Sequence, residues 1–262
     1  MAKNSSYKNI LSSINELKSN EVVSVFVPSV GKTVNFDPLT VKQQKDLLSS
    51  SVDTDFENLS FLNTLSEVML ANCKTPGVKI LVTDKPLIAL QLRVVAVGKT
   101  LTVKDDADNS FDVDLEQHVK NVTSNVPVPP ADLTVAHGPI EIQCHVPDLP
   151  TDVKYNKQFT KRVRGPKTSK LKITDVIGDV YVSELVKFIK SVKVGEEIID
   201  VDEGVSANNM VEIFENLPMQ MSSKLADVIK KLREIEEIAL NPAELPEELS
   251  ITIDASLFTI SE

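Results

Sequence analysis

A chain of 262 residues, 42% hydrophobic and 25% charged, has the makeup of a globular protein, and its length allows one large domain or two modest ones. Lys plus Arg number 28 against 38 Asp plus Glu; the net charge of −10 opposes docking of the whole molecule on nucleic acid or an anionic membrane, so such binding has to be local. A count of only eight glycines argues against a loop-rich enzyme scaffold with several phosphate-cradling turns.

Residues 1–20 are polar apart from Ile10, Leu11, Ile14 and Leu17, whose helical spacing predicts a short amphipathic arm. From residue 21 the period changes to two. Val23, Val25 and Val27, a turn through Gly31, and the return Thr33 to Phe36 predict a β-hairpin. Asp37 is expected to cap a helix running past Leu47, and a second helix over 56–72 aligns Leu59, Leu62, Leu65, Val68 and Met69. Residues 78–82 read as a short strand or connection, and a third helix spans 87–97. A second hairpin covers 99–115. Pro127, Pro129 and Pro130 look like a linker, and a third hairpin pairs 133–135 with 140–144 around Gly138.

Residues 147–172 are polar and strongly basic, with Lys154, Lys157, Lys161, Arg162, Arg164, Lys167, Lys170 and Lys172 against Asp148 and Asp152, and they read as an exposed linker or lid. Helical periodicity returns over 176–194, 208–216 and 222–240, the last with a stripe of Leu225, Val228, Ile229, Leu232, Ile235 and Ile238. Alternation over 249–260 suggests a terminal hairpin. The expected class is α+β: helices interleaved with short antiparallel hairpins, then a helical C-terminal half ending in a hairpin. The expected domains are the 1–20 arm, 21–147, the basic linker 148–172, and 173–262.

No stretch approaches the roughly 18 apolar residues of a bilayer span, and 1–20 lacks the apolar core of a secretory signal, so a cytosolic chain without membrane contact is expected. Gly-Lys-Thr occurs at 31–33 and at 98–100. A phosphate loop needs a glycine five residues before the second one and a helix after it, whereas Phe26 and Arg93 hold the upstream places and strand patterns follow. Both copies therefore read as turns. The acidic clusters at 106–110 and 200–204 lack the glycine and glutamate that an EF-hand requires at its sixth and twelfth places, and read as solvated turns. Cys73 and Cys144 have no cysteine partner nearby, and Cys144 and His145, adjacent on a strand, point to opposite faces, so no zinc site, disulfide framework or cofactor is expected. No catalytic motif stands out, and an enzyme is not expected.

The basic segment is suited to an acidic protein surface, with Lys154, Lys157, Lys161, Arg162, Arg164 and Lys167 as the candidate partner-binding residues. A solvated loop and a nucleic-acid contact using Tyr155 and Phe159 for stacking stay open beside it.

The run Val25 to Phe36, followed by Pro38-Leu39-Thr40-Val41-Lys42-Gln43-Gln44-Lys45, resembles the start of the baseplate protein family of T-even-type contractile-tailed phages. The stretch Thr83 to Arg93 ending at Gly98, the close of the next hairpin at Val113-Asp114-Leu115, and Glu215-Asn216-Leu217-Pro218 with the helix after it resemble the family's later parts. Some relatives carry a Cys-x-x-Cys element that this chain lacks, having Asp105, Asp106 and Asp108 in one of its places. The resemblance implies a baseplate hub subunit or a hub-assembly chaperone. It implies protein contacts without catalysis, other baseplate or hub proteins as partners, homo-oligomerisation as an open alternative, and a place in the host cytoplasm during assembly or in the virion tail. An enzyme with an unrecognised site and a nucleic-acid module are the competing readings.

Overall fold

The computed structural model describes residues 8–14, 21–52, 57–105, 107–130, 133–163, 173–201, 205–242, 245–246 and 249–259. The fold is α+β, as expected, with antiparallel sheets of two and four strands. Two compact units are present: Met1–Val78, Pro86–Val126 and Ala239–Glu262 form the first, Lys79–Lys85 and Pro127–Ile238 the second. This division differs from the expected one, because residues 149–163 are a packed helix of the second unit rather than a linker.

In the first unit, residues 8–14 form a short helix, α1, exposed along its length. Strands β1 (Val23–Val27) and β2 (Lys32–Phe36) pair antiparallel with Val25 opposite Val34. Their alternation sends Val23, Val25, Val27, Val34 and Phe36 inward. Helix α2 (Val41–Ser50) begins at Thr40 rather than at Asp37. Thr40 Oγ1 accepts from the Gln43 amide at 3.2 Å and Gln43 Oε1 accepts from the Thr40 amide at 2.9 Å, a reciprocal cap that satisfies two backbone donors. Asp37 instead pairs with Lys74 at 2.8 Å.

Helix α3 (Glu57–Asn72) buries Phe61, Leu65, Val68 and Met69, while Leu59 and Leu62 are only half-buried. Residues 78–82 form no strand; Leu81 makes an isolated bridge to Asp148 and a 3-10 turn, Val82–Asp84, follows. Helix α4 (Lys85–Ala96) is mostly apolar, and Leu87, Ile88, Ala89, Leu90 and Leu92 are all buried, together with the charged Lys85 and Arg93, while Val95 is exposed.

Strands β3 (Thr100–Lys104) and β4 (Ser110–Asp114) form the expected second hairpin. The sequence reading then misses helix α5 (Leu115–Thr123), which Asp114 caps by accepting from the Gln117 amide at 3.0 Å. Near the C-terminus the expected hairpin is absent among the described residues. A 3-10 turn, Ala255–Phe258, stands there, and it buries Leu257 and Phe258. The Phe258 ring lies 6.3 Å from that of Phe61, and its carbonyl accepts from Gln44 Nε2 at 2.8 Å. Side-chain burial, not strand pairing, holds this segment.

The second unit is built on a four-stranded antiparallel sheet in the order β5-β6-β7-β8: β5 (Leu133–His137), β6 (Ile140–Cys144), β7 (Ile189–Val194) and β8 (Glu197–Asp200). Val135, Ile142, Cys144, Ile189 and Val192 are buried. The helix expected over 176–194 is corrected here: α7 (Ile173–Val186) stops short, and β7 and β8 follow. A short apolar run has no period of its own that separates a strand from a helix end. The unit also holds α6 (Leu149–Val163), α8 (Ala207–Glu215), and α9 (Met219–Leu240) up to residue 238. In α9, Met221, Leu225, Ile229, Leu232 and Ile235 are buried, whereas Ile238 is 47% exposed and lies off the stripe.

Candidate partner interface on the basic helix

The basic segment read as a linker or lid folds as α6 over its first part, with two faces of opposite character. Val153, Tyr155, Asn156 and Phe159 are buried, and Lys154, Lys157 and Lys161 are exposed. The three lysines follow i, i+3, i+7 spacing and share one helix face. Arg162 lies on the same helix, but its side chain, like Arg164, Lys167, Lys170 and Lys172, falls outside the described residues. The structure thus brings together three of the six candidate contact residues. It also removes Tyr155 and Phe159, 3% and 5% exposed, from any base-stacking role.

What fixes α6 is Asp152, the lone acid of the helix. Its carboxylate, 1% exposed, accepts from Lys85 Nζ at 2.8 Å on one oxygen and from Lys187 Nζ at 2.9 Å on the other. Lys187 also donates to Glu184 at 2.8 Å, and Arg233 approaches the other oxygen of Glu184 at 3.6 Å. Burial opposes ionisation of Asp152, but the two ammonium groups outweigh it and hold the carboxyl well below the usual carboxylate range. Burial likewise opposes the charge on Lys187, and Glu184 with Asp152 raises its pKa regardless. Glu236 of α9, half-buried near Lys85, Lys187 and Arg233, is pushed up by burial, which those cations only partly offset. Three cations and three carboxyls therefore join the start of α4, α6, α7 and α9 in one network, buried at Lys85, Asp152 and Lys187 and open to solvent at Arg233. Sequence reasoning missed it. The one signal was an isolated acid in a basic amphipathic run, and its partners lie 35 and 67 positions away.

The other candidates are structural. Gly31, at φ +67°, and Gly98, at φ +123°, each precede a strand, in keeping with the turn reading of both Gly-Lys-Thr copies. The Gly98 carbonyl accepts from the Arg93 guanidinium, a buried cation whose pKa burial lowers. Beside the first acidic cluster, Asp105 accepts from the amides of Ala107 and Asn109 at 2.9 and 2.8 Å, and this organises the turn; Asp106 and residues 202–204 lie outside the described residues. Cys144 is buried and its thiol is pushed up to about 12. His145 is half-buried, and its Nε2 lies 3.3 Å from the Lys187 carbonyl, which accepts. Among the described residues no cluster of three His, Cys, Asp or Glu is placed to hold a metal, and no helix is long and apolar enough to cross a membrane.

Neither a curated protein nor a solved structure matches the chain. The family model described as T4 bacteriophage base plate protein matches residues 19–240, a span that takes in most of both units and all of the α6 network. The chain therefore belongs to the T4 bacteriophage base plate protein family and is a component of the phage tail baseplate.

Proposed function

We propose that this chain works at the hub of the baseplate, as a hub subunit or as a chaperone that assembles the hub, through protein contacts and without catalysis. The family match over 19–240 carries the reading. The geometry agrees with it. The acid with the most perturbed surroundings, Asp152, is saturated by two lysines, and the Cys144 thiol is buried, so neither is a base or nucleophile in waiting. The contact face is the lysine row of α6, with Arg162, Arg164 and Lys167 extending the same basic sequence. Assembly takes place in the host cytoplasm, and an acidic surface on another baseplate protein is the complement that such a row fits.

Two measurements test this. Mass spectrometry of purified virions and of hub complexes from infected cells is expected to find the chain with hub proteins. Presence in virions assigns a subunit, and presence only in assembly complexes assigns a chaperone. Recovery only with peripheral baseplate proteins removes the hub reading. Replacing Lys154, Lys157 and Lys161 by alanine is expected to abolish that co-purification, and unchanged recovery would reject α6 as the contact face.

A further inference from the structure

The backbone of a sheet edge is unpaired on one side, so edges bind extended chains unless they are blocked. The four-stranded sheet has two edges, β5 and β8, and they are finished differently. At β5 the two-residue turn 138–139 closes on the pair His137 and Ile140. By the alternation of an antiparallel ladder, Ala136 in the next pair turns its carbonyl outward. Lys224 blocks it there, donating from Nζ to the Ala136 oxygen at 2.6 Å. Pro127, Pro129 and Pro130, which have no amide hydrogen to offer an incoming strand, precede this edge in the chain.

At β8 the turn 195–196 closes on Val194 and Glu197, so Ile198, opposite Lys193, directs its amide and carbonyl away from β7. Among the described residues no side chain blocks this position. Ile198 is 59% exposed at this open position, on the face of the sheet opposite to Ile199, whereas Lys224 of α9 covers the corresponding place on β5. Glu196, Glu197 and Asp200 surround it, and the nearest cation on the sheet, Lys193, stands opposite Glu141 in the ladder.

These charges select the occupant. A second copy paired antiparallel with Ile198 against Ile198 would set Glu196 against Asp200 at both ends, and like charges directly opposite are destabilising. We infer that β8 is a docking edge for an extended segment of another protein, one with alternating β-branched side chains and Lys or Arg at its ends, added to the sheet as a fifth strand. The inference rests on the reading that the chain works by protein contact, and it assigns a surface separate from the lysine row of α6.

The purified full-length chain, titrated by fluorescence anisotropy with the dye-labelled peptide Lys-Thr-Val-Thr-Val-Lys, is expected to bind it at least tenfold more tightly than the version ending in glutamates. Amide hydrogen exchange at Ile198 should slow when the peptide is bound. Ile198→Pro removes only an outward-facing amide, so the β7 ladder stays intact and affinity falls at least tenfold. Ile198→Lys, which keeps the backbone and sets a cation against a basic incoming segment, gives the same loss if the proline variant does not fold. No binding of the basic peptide, equal binding of the two peptides, or binding unchanged in the folded variants would overturn the proposal. No phage partner takes part in this assay, so its failure leaves the hub reading standing, and loss of the hub reading in virions leaves this result standing.

Discussion

Asp152 shows most sharply how one residue's surroundings decide its role. In a model peptide it would be an ordinary carboxylate; here it is the shared acceptor of two buried ammonium groups. Asp152→Asn leaves Lys85 and Lys187 buried against a neutral amide and is expected to cost about 3–5 kcal/mol in chemical denaturation. Replacing all three with Lys85→Met, Asp152→Leu and Lys187→Met is expected to cost much less, because no buried charge is then left unpaired. The sign of the pH dependence follows from the shifts. The folded-state pKa of Asp152 lies below its ordinary 3.8, so its contribution is complete above about pH 4 and is lost as pH falls further. Lys187 is shifted above its ordinary 10.5, so its contribution holds below that pH and is lost as pH rises through the folded value. Glu236, shifted upward, acts in the opposite sense to Asp152 and favours the folded state as it takes up a proton. Melting temperature measured from pH 2 to 5 should therefore fall on the acid side in the parent and fall less steeply in Asp152→Asn. At Cys144, a thiol shifted to about 12 should resist a disulfide reagent at pH 8 until the chain unfolds, whereas half-exposed Cys73 reacts at once.

At the scale of elements, helix ends and helix faces are where local sequence speaks most directly. Thr40 and Gln43 satisfy each other's backbone at the start of α2, and Thr40→Ala is expected to cost about 1 kcal/mol of stability, read as a lower denaturation midpoint. The α6 lysines touch solvent, so the triple alanine variant used to test partner binding should melt within a few degrees of the parent; a large drop would mean that the face packs inward. On the opposite side of the same logic, Leu232 sits at 3% exposure on the α9 stripe. Leu232→Asp buries an unpaired carboxylate and is expected to cost on the order of 4 kcal/mol, which a thermal melt would register directly.

For the whole molecule, the charge of −10 hides an uneven distribution. The basic sequence around α6 stands against a C-terminal stretch, 234–262, with acids and no Lys or Arg. Part of the acidic charge is spent internally, since Glu236 belongs to the buried network. The second unit carries the two surfaces proposed above as contacts, a row of exposed lysines on α6 and the β8 edge at Ile198 among acids. Under those two proposals the surfaces differ enough in charge to choose different partners.

The periodicity of the sequence by itself determined the hairpins β1–β2, β3–β4 and β5–β6, the helices α3, α4, α8 and α9, the turn character of both Gly-Lys-Thr copies, and the basic residues of the candidate interface. Each depends on neighbours a few positions apart, and so each is written in local spacing. Only the tertiary structure decided that residues 149–163 are a packed helix, that 189–200 is the sheet's outer hairpin, and that 249–259 runs without a strand partner among the described residues. Those outcomes turn on what lies across the chain: Lys85 and Lys187 for Asp152, the β6 ladder for β7, and the Phe61 ring for Phe258. A buried ion pair or an added strand is stabilised by a partner far away in sequence, and no local period records where that partner will be.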